Sequence, residues 1–479
     1  MLRRQNARLL IATATAAALT GGLLGLTAET ANAANAAPAA PGQRPGPAGV
    51  TDDVNGDGFR DYITGGTLRS QDHVRGTVTV THGTANGPGR ETATFDQNSP
   101  GIPGEAVRFD QFGTGLATAD FNSDGYADVA VSDPSEPVPA EPAGNAWGMV
   151  LIMWGSRSGL GTTATELPYR PSPPSSYFGG SLAAGDFDGD GRPDLAVTDQ
   201  HSVHIQRGGF TPEGPGTGKV TRHSPNHDDL NTIGRLVAGK VTKDRATDLY
   251  ALGSGLTDND ARTAGAWFLR GGSTIKPERK PLVYGEFSPE WGHWNSGVIA
   301  DFDRDGYGDL AVTDIEYGRG VGAVAVRRGG AGGPTSTYRI TPDTPGIAGQ
   351  SHAGFGASIS AGDVNRDGYP DLAVGAPGAK VNGVERAGGV HVVHGGQHRL
   401  SGIRSRWFTR ASVSVPGDPE QSDYLGNAVR LLDMDRDGDA DLLASGRHTA
   451  KGGLLLNGGG TGITPRFSRD IALHADFQQ

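Results

Sequence analysis

Short apolar runs recur along the chain and are separated by glycine-rich polar stretches. Four-residue runs such as 194–197, 309–312 and 371–374 each begin at an aspartate and continue with Leu-Ala-Val. Unbroken runs of this length are too short for helices and suit strands that are buried on both faces. The pattern therefore predicts short, central β-strands at regular places along the chain.

Each of these runs belongs to a larger unit. A run of small and apolar residues precedes it, as at 178–185 and 355–362, and a more polar run such as 335–340 closes the unit. A third run starts at a glycine, and another glycine follows within two residues of its end; its copies are 76–82, 148–154, 265–270, 322–327, 389–394 and 453–457. The pattern predicts four strands per unit, with the polar strand at the solvent-facing edge.

A nine-residue acidic loop joins the first and second strands of each unit. Oxygen side chains stand at positions 1, 3, 5 and 9, and glycine at position 6 makes the sharp turn, which is the ligand chemistry that Ca²⁺ prefers. Six copies predict about six Ca²⁺ ions per chain. Their expected ligands are Asp53, Asn55, Asp57 and Asp61; Asp120, Asn122, Asp124 and Asp128; Asp186, Asp188, Asp190 and Asp194; Asp301, Asp303, Asp305 and Asp309; Asp363, Asn365, Asp367 and Asp371; Asp433, Asp435, Asp437 and Asp441.

The fourth loop departs from this pattern. Lys240 stands at position 1 and Arg245 replaces the turning glycine. Our hypothesis is that Lys240 pairs with Asp244 and Asp248 and replaces the ion. The alternative, which the sequence leaves open, is a relaxed and solvent-exposed loop.

The loops begin 54 to 70 residues apart, and there are seven of them. A repeat of this size, made of short strands and glycine-rich turns, indicates one blade of a closed ring. We therefore predict an all-β fold, a seven-bladed β-propeller of four-stranded blades. Blade one has too few residues before its loop for a full first strand, so either a very short strand stands there or segment 470–477 completes the blade.

Phe-Gly pairs stand at 112–113, 178–179 and 355–356, eight residues before the first aspartate of a loop, and Gly-Ala-Pro occurs at 375–377. With the calcium loops, these motifs resemble the FG-GAP repeat of integrin-alpha-like (VCBS-type) propellers, including secreted bacterial ones. The resemblance covers residues 49–479. It implies a structural role for calcium on one face and ligand binding on the other.

The N-terminus has a different character. Arg3, Arg4 and Arg8 precede an apolar stretch, and small residues surround Ala33, as in a secretory signal peptide. We expect a signal peptide at 1–33 with cleavage after Ala33, a disordered Ala/Pro/Gly leader at 34–48 and the propeller at 49–479. The expected product is a secreted, extracellular protein with no membrane span after signal cleavage.

Charge and cysteine content narrow the expected function. The formal net charge is −11 and the chain has no cysteine. An acidic protein without a basic stripe is not expected to bind nucleic acid. Six calcium ions would neutralise most of the acidity, and they would tie the loops in place of disulfides.

The richest candidate ligand segment contains Glu290, Trp291 and His293, because aromatic rings beside polar groups suit a sugar or a peptide. We expect a monomeric binding or adhesion module for an extracellular protein or glycan. The alternative is a secreted glycoside hydrolase or polysaccharide lyase that uses Glu286 with Glu290 or His293. No residue is assigned a catalytic role, and an enzyme is the less favoured interpretation.

Overall fold

A computed structural model gives the fold of the protein. It describes residues 51–69, 74–107, 109–136, 148–161, 163–169, 171, 177–225, 228, 230–256, 262–286, 296–347, 353–446 and 453–471. These residues belong to one compact unit that spans residues 44–479. The predicted signal peptide, the leader and the candidate ligand residues Glu290, Trp291 and His293 lie outside the described residues.

The described chain folds into seven antiparallel sheets that follow one another in sequence. The strands of the first three sheets are β1 (Tyr62–Arg69), β2 (Val74–Thr81) and β3 (Thr92–Phe95); β4 (Leu116–Ala119), β5 (Asp128–Asp133), β6 (Met149–Met153) and β7 (Ala164–Glu166); β8 (Leu182–Gly185), β9 (Asp194–Thr198), β10 (Val203–Gln206) and β11 (Val220–His223).

The remaining sheets continue the same plan. Their elements are β12 (Thr232–Gly239), β13 (Asp248–Leu256), β14 (Arg262–Arg270), β15 (Lys276–Pro277) and β16 (Leu282–Glu286); β17 (Gly297–Ala300), β18 (Asp309–Asp314), α1 (Tyr317–Gly320), β19 (Ala323–Arg327) and β20 (Thr337–Ile340); β21 (Ile359–Gly362), β22 (Asp371–Gly375), β23 (Val390–His394) and β24 (Ser401–Phe408); β25 (Ala428–Leu432), β26 (Asp441–Ser445), β27 (Gly453–Asn457) and β28 (Thr464–Ile471). The sheets are the blades of an all-β, seven-bladed propeller, as the sequence predicts.

The predicted central strands are confirmed. Residues of β9, β18 and β22 are buried along their whole length, because each blade is covered on both sides by its neighbours. In the outer strand β20, exposed positions alternate with one partly buried and one buried position. The first strands are shorter than expected: β8 begins at Leu182, because Phe178 and Gly179 form a turn whose phenylalanine is fully buried.

Apolar packing between neighbouring blades holds the ring together. Among the described residues, seven clusters of buried side chains each join two adjacent blades. Fully burying one large apolar side chain stabilises a fold by about 1.5–3 kcal/mol. The cluster around Tyr62 and Met434 joins blade seven to blade one and closes the ring.

Polar contacts reinforce this closure. Arg469 of β28 donates to the carbonyl oxygens of Asn86 and Pro88 in blade one, at 2.7 and 3.3 Å. Blade one has three strands in the described part of the chain. Asp470 and Ile471 pair with β27 of blade seven, so this part of the segment does not complete blade one; the rest of segment 470–477 lies outside the described residues.

None of the helical segments in the described part of the chain has the length and apolar character that a bilayer span needs.

Candidate metal centres and the opposite face

The antiparallel topology gives the ring two faces. The acidic loops lie between first and second strands, and we call their side the metal face. The connections between second and third strands, and those between blades, lie on the other side, which we call the opposite face. This placement follows from the strand order in every blade.

Six of the seven acidic loops share one ladder of side-chain to backbone hydrogen bonds. In loop three, Gly191 N donates to Asp186 at 2.9 Å, Asp190 N donates to Asp188 at 3.1 Å, and Arg192 N donates to Asp190 at 2.9 Å. The same three bonds recur in the loops that begin at Asp53, Asp120, Asp301, Asp363 and Asp433. Positions 1, 3 and 5 therefore turn their oxygens towards the centre of each loop.

Glycine at position 6 is required by the backbone of this ladder. Gly191 has φ of +91°, in the left-handed region that residues with a Cβ rarely adopt. In three of the loops, one carboxylate oxygen from each of positions 1, 3 and 5 lies within 4.8 Å of the other two. These groups are Asp186, Asp188 and Asp190; Asp301, Asp303 and Asp305; and Asp433, Asp435 and Asp437.

The donor chemistry of these loops fits a hard divalent cation. Burial and neighbouring carboxylates raise the pKa of Asp435, and burial also raises the pKa of Asp120 and Asp303. A divalent cation between like charges held this close would offset their repulsion. One oxygen of Asp433 is buried and has no hydrogen-bond partner in the described structure, which leaves it available to an ion. Calcium itself stays a prediction.

The aspartate at position 9 has a second role that the sequence did not reveal. Its carboxylate reaches back to the loop and across to the end of the third strand. Asp194 accepts from Phe187 N at 3.0 Å and from Gly208 N at 2.7 Å. Both bonds recur at Asp61, Asp128, Asp371 and Asp441, and the second recurs at Asp309. Asp248 also accepts from Gly271 N, but its donor in the loop is Thr242 N, one position further along. Position 9 thus fastens the loop to its blade whether or not an ion is bound.

The residue before the third-strand glycine also reaches the loop. Arg207 lies 3.4 Å from Asp188 and 3.0 Å from Asp194, and Arg328 pairs with Asp303 and, at 3.2 Å, with Asp305. His82 and His394 occupy the same place in blades one and six. The spacing of residues along the sequence does not predict these contacts, because the loop and the end of the third strand come together only in the folded blade.

The fourth loop lacks the ladder. Arg245 does not adopt the positive φ of the glycines at position 6. Lys240 donates its ammonium to the carbonyl oxygen of Arg245, while Asp244 pairs with Arg270 at 2.9 Å and Asp248 accepts from Thr242 and Gly271. The hypothesis that Lys240 pairs with the two aspartates is therefore wrong, because other donors already satisfy them. A cation nevertheless points into this loop.

Cations at position 4 link successive loops around the metal face. Lys243 lies 4.1 Å from the centre of the Tyr307 ring in blade five. Arg304 lies 5.4 Å from the Tyr369 ring, and Arg436 of blade seven lies 5.5 Å from the Phe59 ring of blade one. These cation–π contacts lie within the distance at which such pairs attract, so neighbouring loops support one another.

His201 and His204 do not form a metal site. His204 is fully buried; its Nε2 contacts Asp199 at 2.9 Å and its Nδ1 contacts the Tyr169 hydroxyl at 2.9 Å. Both ring nitrogens are thus used in the packing of blade three. The enzyme alternative stays a prediction, because Glu290 and His293 lie outside the described residues.

The FG-GAP repeat family model matches residues 112–149, 178–205 and 355–393, which cover parts of blades two, three and six. The chain carries FG-GAP repeats. The matched segments start at Phe112, Phe178 and Phe355, the phenylalanines that pack between blades.

The chain is similar in sequence to two kinds of curated protein. It is 24% identical to phosphatidylinositol-glycan-specific phospholipase D from Bos taurus over 87% of this chain and 54% of that protein. It is 40% identical to human integrin alpha-IIb over 20% of this chain and 9% of that protein. The chain thus spans about half or less of the length of these relatives.

Among solved structures, the chain is similar to the Vibrio cholerae biofilm matrix protein Bap1. The TM-score is 0.32 at 10% sequence identity, and the match covers 80% of this chain and 85% of that one.

A buried carboxyl pair marks the opposite face between blades one and two. Asp110 and Asp133 are 3% and 1% exposed, and each has one oxygen without a hydrogen-bond partner in the described structure. Burial, together with the neighbouring Asp133 and Glu136 carboxylates, raises the pKa of Asp110 to about 8. The Asp110 carboxyl is therefore expected to keep its proton at neutral pH.

This pair predicts a pH-dependent stability. The folded state keeps a proton that the unfolded state releases near pH 4, so the free energy of unfolding falls as the pH rises from about 4 to about 8. Asp110→Asn, whose amide can donate to Asp133, should remove that part of the slope. Urea unfolding at several pH values in saturating calcium measures it, with the exposed Asp343→Asn as control. An unchanged slope in Asp110→Asn would contradict a proton held on Asp110 in the folded state.

Proposed function

We propose that this FG-GAP propeller is a secreted, calcium-stabilised module that binds an extracellular protein or glycan on its opposite face. The observation that carries the proposal is the difference in construction between the two faces. The metal face repeats one self-contained hydrogen-bond ladder in six blades. The opposite face is built from connections that differ from blade to blade and contains an open cavity.

Repetition supports a structural role for the metal loops. A ligand-binding site normally occurs once or a few times in a protein, whereas a stabilising device can recur in each unit. We propose six Ca²⁺ ions per chain, bound by positions 1, 3 and 5 with further help from position 9. A seventh ion is not proposed, because Lys240 points into the fourth loop.

Secretion is supported by the N-terminal sequence and by the metal chemistry. Oxygen cages of this kind in extracellular modules bind calcium at about 10⁻⁴ to 10⁻³ M, a concentration found outside cells. The absence of cysteine is compatible with this, since bound ions can replace disulfides as cross-links between loops.

The absence of cysteine also allows a direct test of which face binds. A single cysteine introduced at an exposed position can be coupled to a bulky polyethylene glycol chain. Asp418→Cys and Val321→Cys lie in connections on the opposite face, and Arg157→Cys lies between the third and fourth strands on the metal face.

We expect the uncoupled protein to bind members of a combined array of glycans and extracellular proteins. The polymer at position 321 or 418 should reduce this binding, and the polymer at position 157 should leave it unchanged. Binding lost only with the metal-face polymer would overturn the assignment of faces. No binding to any member of the array would count against a binding module.

A further inference from the structure

A cavity of about 840 Å³ opens on the opposite face between blades four and five. Its walls come from the outer strand β16, from the connection that contains α1 and from the outer strand β20. Small-molecule sites typically measure 300–1,000 Å³. The lining residues that carry the argument are Val283, Tyr284, Asp314, Glu316, Tyr317, Arg319 and Arg339.

One carboxylate oxygen in this cavity has no donor. Glu316 Oε1 is buried from solvent and has no hydrogen-bond partner in the described structure. An acceptor left unpaired in this way destabilises the protein, and more so when it is charged. A ligand that brings a hydroxyl or amide donor to this oxygen would remove that destabilisation.

A guanidinium that lines the same cavity is already held in place. Arg339 donates through Nη2 to the Tyr284 carbonyl oxygen at 2.6 Å and through Nε to Asp314 at 3.3 Å, and it lies 5.6 Å from the centre of the Tyr317 ring. A guanidinium fixed by two bonds and a ring loses little further entropy when it binds a ligand.

Apolar surface and a second guanidinium complete the site. Tyr317 and Val283 are 41% and 40% exposed, so part of the Tyr317 ring is open to contact. Arg319, which also lines the cavity, follows in a left-handed turn with φ of +62°. Aromatic surface beside polar side chains is the composition expected of a site for a hydroxyl-rich molecule.

The charges of the lining residues identify the ligand class. Asp314 and Glu316 balance Arg319 and Arg339, so an anion would meet two carboxylates and a cation would meet two guanidinium groups. Hydroxyl groups both donate and accept, and they can satisfy Glu316 and Arg319 together. We infer that this cavity binds a neutral oligosaccharide; this inference rests on the proposed function and names its ligand and its place.

The test compares neutral and charged probes on the full chain. The neutral probes are cellohexaose, mannohexaose and chitohexaose; the charged probes are oligogalacturonate and an arginine-containing hexapeptide. Titration calorimetry should detect at least one neutral probe. Tyr317→Ala and Glu316→Gln should each weaken that binding about tenfold or more, since hydrogen bonds to charged groups and aromatic contacts each contribute on this scale.

Tyr177→Ala is the matched control, because Tyr177 is 48% exposed on the same face but in blade three. It should bind as the unaltered protein does. If Tyr317→Ala and Glu316→Gln both leave binding of the neutral probe unchanged, the cavity is not the binding site. The proposed function would still stand. Binding to charged probes alone, or to array proteins alone, would overturn the carbohydrate inference. Failure to bind any probe or any array member would overturn both.

Discussion

Removal of calcium is expected to destabilise the whole ring by about 8 kcal/mol. Each site occupied at about ten times its dissociation constant contributes about 1.4 kcal/mol, and six sites are proposed. Without ions, clustered carboxylates such as Asp186, Asp188 and Asp190 repel one another. Because each blade packs between two others, the loss is expected to be cooperative.

The measurement is chemical unfolding in 1 mM calcium and in excess chelator, with metal content determined on the same sample. Magnesium at the same concentration is the control for ionic strength, since it demands an octahedral site and dehydrates reluctantly. About six ions per chain and a large calcium-specific stabilisation are expected. Equal stability in chelator and in calcium would refute the structural role of the metal face.

The second large effect is expected at Asp248, in the one loop for which no ion is proposed. This aspartate is fully buried and accepts from Thr242 N at 2.7 Å, Thr242 Oγ1 at 2.8 Å and Gly271 N at 2.9 Å. Asp248→Ala would leave these buried donors unpaired. We expect a loss of about 3–5 kcal/mol, and a smaller loss for Asp248→Asn, which keeps one acceptor oxygen.

This substitution separates the two roles of position 9. Unfolding in saturating calcium should show the loss while the number of bound ions stays the same, and the exposed Asp343→Ala should change little. Asp194→Ala, in a loop with the full ladder, should lose both the backbone bonds and calcium affinity. If Asp248→Ala leaves the free energy of unfolding unchanged, the hydrogen bonds from backbone groups to position 9 contribute nothing to stability.

Local residues explain why the strands and loops could be predicted. The apolar runs after Asp194, Asp309 and Asp371 are strands because their pattern suits burial on both faces, and burial follows from the repeat itself. The left-handed turn at Gly191 is equally local, since it depends on a residue without Cβ. Seven repeats of one size then predict a ring.

Contacts between distant segments explain what could not be predicted. The partner of Lys240 is a carbonyl oxygen within its own loop, since Arg270, from a strand 26 residues away in sequence from Asp244, already pairs with that aspartate. The first strand of blade three was expected to begin at Phe178, but it begins at Leu182. The Phe178 side chain instead packs in the apolar cluster between blades two and three.

Residues close together in sequence are enough to indicate the strands, the acidic loops and the exceptional fourth loop, and their recurrence every 54 to 70 residues indicates the repeat and the all-β class. The contacts by which blade seven meets blade one, through Tyr62, Arg469 and the Arg436–Phe59 pair, exist only in the folded ring. The cavity between Val283 of blade four and Arg339 of blade five is likewise formed only by folding. Such sites arise where neighbouring blades pack. The spacing of residues along the sequence does not give the distance between side chains of two different blades.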